Sequence, residues 1–196
     1  YALSGFLAAY NWNVMWLDCV VLFPLIAVGL EALVKEGKYK LYCISLALCI
    51  LSNYYISIMV CIFLVLYFLL QLVCSHMSLR QMGAAAVRFA LFSLLAGGLA
   101  AVLLIPEYAA LHLTDFSEFN FPDTLTFYFS FLDMIARHCM NVNVETGLDH
   151  WPNIYCGVAV FLLVPLYVMN TKISLREKAA HIGLLAFMLL SISTNM

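Results

Sequence analysis

Apolar residues run along this chain in stretches far longer than a soluble helix or strand requires, and short polar linkers separate them. A helix rises about 1.5 Å per residue and a bilayer core is about 30 Å thick, so roughly 20 apolar residues make one crossing. Residues 14–34, 88–108 and 151–170 have that length, and further apolar stretches open and close the chain at 1–10 and 181–196. Residues 41–73 are too many for one crossing, since a straight helix of that length would reach about 50 Å. The pattern there predicts either one much overlong helix or two short ones that turn tightly near Ser52, Asn53, Tyr54 and Tyr55. Barrel strands would instead alternate apolar and polar positions over about ten residues, which these continuous runs do not do.

Composition sharpens the class. The chain is 65% hydrophobic and 10% charged, against about 45–50% and 25% for soluble domains, and its mean hydropathy is +0.99. A soluble domain and a disordered tail are excluded. A nucleic-acid binder is excluded too, because nine basic against eleven acidic residues give a net charge of -2 and no basic stripe. The expected fold class is an all-α polytopic membrane protein of about six to seven helical segments, with residues 1–196 forming a single internal fragment of a transmembrane domain.

Charge placement orients the segments. All basic residues but Arg137 fall in three short linkers: Lys35, Lys38 and Lys40; Arg80 and Arg88; and Lys172, Arg176 and Lys178. The positive-inside rule puts all three on the cytoplasmic side. Both ends of 41–73 then lie inside, which selects the hairpin and turns Asn53 outward. By parity residues 109–150 form an extracellular loop, and a connection of that length is more often functional or a small structure of its own than slack. Inside it Leu125, Tyr128, Phe129, Leu132, Ile135 and Cys139 recur at helical spacing, opposite Thr126, Ser130, Asp133 and Arg137. An amphipathic helix near 123–139, capped by Asp123 and with Asp133 and Arg137 as an i,i+4 pair, is therefore expected in the outer interface, the alternative being a core helix of a small external subdomain.

This topology gathers the unusual polar residues on the outer face. Trp12, Asn13 and Asp18 open the first return helix, Asn53, Tyr54 and Tyr55 form the hairpin turn, Glu107 and Tyr108 end the 88–108 run, and Asn153 and Tyr155 begin the next. Asp18 is the most informative, because a carboxylate inside an apolar helix is costly and usually faces a wet cavity. Packing or snorkelling is its bland alternative. Asn53 suits either interhelical glue or a polar ligand group, and the aromatic residues suit either the interface belt or a sugar ring.

Other constellations are weaker. Glu107, His112 and Asp115 match no ligand spacing, the seven cysteines contain no CxxC pair, and no P-loop, GxSxG or HExxH motif occurs. Neither a metal site nor a cofactor follows from the residues. Pro152 is expected at the first position of the 151–170 helix, and Gly97 and Gly98 are expected to allow close helix packing.

The strings Asn13-Val14-Met15-Trp16-Leu17-Asp18, Phe23-Pro24-Leu25-Ile26, Gly29-Leu30-Glu31, Ser52-Asn53-Tyr54-Tyr55-Ile56 and Pro152-Asn153-Ile154-Tyr155-Cys156-Gly157 closely resemble the YfhO family of bacterial membrane proteins. So does Lys172-Ile173-Ser174-Leu175-Arg176-Glu177-Lys178. The resemblance implies a GT-C-type glycosyltransferase fold that moves a sugar from a polyprenyl-phosphate donor to an extracellular envelope polymer such as lipoteichoic acid. The partners it implies are membrane lipid, donor and polymer, with no nucleic acid, at the bacterial cytoplasmic membrane. Such folds carry their principal carboxylate in a first external loop, which nothing here matches, so Asp18 is the best catalytic candidate within the chain. Whether the intact enzyme uses a divalent metal stays open. Two other classes remain beside the enzyme: a lipid or polymer transporter or flippase, and a noncatalytic envelope-assembly protein.

Overall fold

The structure, a computed structural model, describes residues 4–75, 77–113, 126–128, 130–138 and 153–193. Among them the secondary structure is helical: α1 Gly5–Tyr10, α2 Val14–Glu36, α3 Lys40–Ser52, α4 Tyr54–Cys74, α5 Leu79–Leu99, α6 Ala101–His112, α7 Phe131–Ala136, α8 Val158–Met169 and α9 Leu175–Ser193. The all-α expectation holds. By length and composition α2, α4 and α5 can each cross a membrane. The chain divides into two compact units, Val14–Phe119 and Tyr1–Asn13 with Asn120–Met196.

In the first unit α2 is the central helix. Its buried positions Cys19, Ile26, Gly29, Leu30, Leu33 and Val34 follow helical spacing and pack on α3, α4 and α5. The 41–73 stretch divides at Asn53, whose extended backbone (φ -160°, ψ 110°) ends α3 and starts α4. Gly29 of α2 lies against Tyr42 of α3, while Cys19 lies against Cys49, so α3 runs antiparallel to α2. On α4 Phe63 meets Phe23 and Tyr67 meets Glu31, so α4 runs parallel to α2. The two short helices therefore form a hairpin.

Helix α4 is apolar on both faces. Ser57, Val60, Leu64 and Phe68 are buried, while Ile58, Ile62, Val65 and Leu69 are exposed at the same spacing on the opposite side. A helix hydrophobic all round belongs in a surrounding that is itself apolar, with one face for the protein and one for lipid. Buried hydroxyls are satisfied locally: Ser45 donates to the Leu41 carbonyl at 2.6 Å and Ser57 to that of Tyr54 at 2.8 Å. Tyr42, buried against α2, shares a 2.7 Å hydrogen bond with Ser93 of α5.

Helix ends depart from the hydropathy pattern at several points. Gly37, at φ 75°, closes α2 by donating its N–H to the Leu33 carbonyl at 3.1 Å, a left-handed cap that glycine adopts without penalty. The 88–108 run proves to be two helices. α5 starts at Leu79, nine residues earlier than the apolar run, because Ser78 and Gln81 form a capping box that satisfies the first free N–H groups. It breaks at Ala100, just after Gly97 and Gly98. A Cβ at either glycine would meet nothing within 4 Å among the described residues. They ease a bend rather than permit close packing.

The second unit holds α1, α7, α8 and α9. The helix expected near 123–139 is described only as α7, Phe131–Ala136. Thr126 to Tyr128 and Ser130 are not helical, and Asp123, Leu125, Phe129 and Cys139 lie outside the described residues. Ser130 caps α7, and the Asp133 carboxylate accepts from both its N–H (3.1 Å) and its hydroxyl (2.6 Å). Asp133 thus serves the start of α7. Met134 and Arg137 are buried while Leu132 and Ile135 are exposed. α8 begins at Val158, after Gly157 at φ 96°, and Pro152 lies outside the described residues. The Tyr155 carbonyl is taken by the Gly5 N–H at 2.6 Å, which holds that segment out of a helix.

Candidate functional site

The polar residues of the first unit collect at the hairpin turn. Asn53 is the organising residue there. Its Oδ1 accepts the Ile56 N–H at 3.0 Å and caps α4, and its Nδ2 makes a long 3.5 Å contact to the Met15 carbonyl of α2. The Asn53 carbonyl accepts in turn from the Cys19 thiol at 3.8 Å, a thiol shared with the Cys49 carbonyl at 3.4 Å. Both ends of its amide are thus engaged in joining α2, α3 and α4, which makes Asn53 a positioning residue. Asn53→Ala should lower stability by about 1 kcal/mol through loss of the cap, read as a lower melting temperature in detergent. Asn53→Asp keeps the cap oxygen and should recover most of that loss; an unchanged melting temperature in Asn53→Ala would deny the cap its part.

Around Asn53 stand two carboxylates. Asp18 lies on α2 between Met15 and Cys19, the two residues that touch Asn53, and its side chain is exposed. Glu107, on α6 just after Pro106, lies near the Tyr54 phenol of α4. Tyr108 packs edge-on against His112, ring centroids 4.4 Å apart, and both Tyr55 and Tyr108 are exposed. The turn therefore presents acid groups, a phenol hydroxyl and aromatic faces on α2, α4 and α6, a set able to hold a hydroxyl-rich ring and to accept a proton from it. Among the described residues no group of three metal-ligating side chains forms.

The remaining candidates belong to the second unit. Trp12 is 67% exposed and donates its indole N–H to the Ala9 carbonyl at 3.0 Å, closing the end of α1. Asn13 follows in a turn whose N–H reaches the Tyr10 carbonyl at 2.9 Å. Asn153 and Tyr155 sit in the non-helical stretch beside Gly5, with the Asn153 carbonyl and the Tyr155 Cβ tight against the place a Gly5 Cβ would fill. Backbone pairing is thus the visible task of that stretch.

Hydropathy missed a second polar junction at the other end of α2. Glu31 accepts the Tyr67 hydroxyl at 2.6 Å and pairs with Lys35 at 3.1 Å. A carboxylate in the last turns of an apolar helix was the available signal, and its partner, 36 residues on, was not. Beside it the basic residues of the first two linkers draw together: Lys35, Arg80 and Arg88 line one cleft, while Lys38, held by the Glu36 carboxylate at 2.5 Å, keeps its proton to a higher pH than a free lysine.

No curated protein and no solved structure matches the chain. The model of one family does, described as "Bacterial membrane protein YfhO", and the match runs over residues 1–196. With three helices among the described residues long and apolar enough to cross a membrane and a match over its whole length, the chain belongs to the YfhO family of bacterial membrane proteins.

Proposed function

We propose that this chain is part of a membrane glycosyltransferase of GT-C type, which takes a sugar from a polyprenyl-phosphate donor and transfers it to an extracellular envelope polymer such as lipoteichoic acid. The observation that carries the reading is the grouping at the hairpin turn: Asp18, Asn53 and the Tyr54–Glu107 pair, at the end of α2 remote from its basic residues. In this reading the basic end is cytoplasmic, the chain crosses the membrane several times, and the turn opens to the outer leaflet, where a lipid-linked sugar resides. Asp18 takes the proton of the acceptor hydroxyl. Glu107 and Tyr54 hold sugar hydroxyls, and Tyr55 and Tyr108 offer ring faces to sugar or prenyl chain. A transporter would place its polar groups near the midplane of broken helices, whereas these stand at one end.

The test is a transfer assay on membranes from cells making the full-length protein, with labelled polyprenyl-phosphate sugars and envelope polymer as acceptor. Label should enter the polymer only when the protein is present. A well-expressed protein that transfers none of several sugars would move the family role to transport or assembly.

A further inference from the structure

We propose that the cleft between the last turn of α2 and the first turns of α5 is a headgroup site for an anionic phospholipid. The cleft has a volume of about 290 Å³ and is lined by Val34, Lys35, Met77, Arg80, Gln81 and Arg88, among others. Among the described residues two of its cations lack an acidic partner. Glu31 is paired with Lys35 and Glu36 with Lys38, and no salt bridge among the described residues reaches Arg80 or Arg88. The Arg88 guanidinium lies beside Gly37, where a Cβ would fall 3.1 Å from one of its nitrogens. Guanidinium groups bind phosphate oxygens in bidentate fashion, and Gln81 adds an amide for a headgroup hydroxyl.

The surroundings select a lipid rather than a soluble phosphate. The cleft sits at the end of two helices of membrane length, and α5 is the less buried of them, with Leu79, Val87, Leu91 and Leu94 all exposed along it. A phosphate held by Arg80 and Arg88 therefore has an apolar helix face beside it for acyl chains. Basic pockets between membrane helices are known to take anionic headgroups, each cation adding attraction.

The experiment is native mass spectrometry of the purified full-length protein with phosphatidylglycerol or phosphatidylcholine of matched chains. Phosphatidylglycerol should be retained in preference, and Arg80→Gln/Arg88→Gln should weaken its binding roughly ten- to thirtyfold. Arg80→Lys/Arg88→Lys should keep most of it, and Lys172→Gln/Arg176→Gln should leave it unchanged. Inorganic phosphate should not displace the lipid. Equal retention of the two lipids by the wild type overturns the proposal without any variant. So does phosphatidylglycerol binding that survives the glutamine pair, or displacement by inorganic phosphate alone, which would make this a site for the free ion.

Discussion

Gly29→Leu should leave almost no folded protein in the membrane. A Cβ at Gly29 would fall 2.6 Å from the Tyr42 nitrogen and 2.7 Å from its Cα, with the Leu41 carbonyl carbon at 3.2 Å. These are backbone atoms, so no side-chain rotation can relieve the clash, and α2 and α3 would have to part along their whole seam. Small residues let membrane helices approach at this distance, and overpacking a fitted interface costs about 1–3 kcal/mol even where side chains can give way. The loss would spread to Leu30, Leu33 and Leu46, all fully or nearly fully buried. Gly29→Ala should show the same defect in milder form. Yield in the membrane and thermal melting in detergent measure it, with Gly97→Ala, where space is open, melting as the wild type does. A Gly29→Leu protein that melts with the wild type would mean the two helices are not so closely joined.

Asp18→Asn in the full-length protein should lower sugar transfer by roughly 10²- to 10⁴-fold, the usual contribution of a positioned proton acceptor. Protein level should stay unchanged. The exchange keeps shape and removes the charge, and the exposed side chain contributes no packing that could fail. That separates it from Gly29→Leu, where activity falls because protein is lost. Transfer equal to the wild type per molecule of protein would remove Asp18 from the mechanism and return it to a place at the membrane surface.

What could be read in advance follows from which interactions are local. The break at Asn53 was legible because residues 41–73 exceed any single crossing and asparagine interrupts them just where an N-cap is needed. The limits of α2 were legible for the same reason of length. The start of α5 was not, although its signal was present: Arg80, Gln81 and Arg88 depress hydropathy over the first turns, while the Ser78–Gln81 capping box marks the true beginning. α8 was misjudged because a carbonyl committed to Gly5, far away in sequence, overrides the apolar pattern. At the candidate site Asp18 and Asn53 stood out singly as polar residues in apolar runs. The pairing of Tyr54 with Glu107 joins residues on different helices, and no periodicity along one strand of text encodes it.

The single-residue turn at Asn53 also bears on how the chain enters the bilayer. α3 has 13 residues, a rise of about 20 Å against a core of about 30 Å, so alone it is too short to be retained as a crossing. Joined to α4 without a loop, it arrives with a partner of full length, and in the orientation proposed above Lys40 and Ser75 both stay on the side of synthesis. The insertion machinery then handles one hairpin that needs no translocated loop, and lengthening this turn would separate two events that the native chain performs as one.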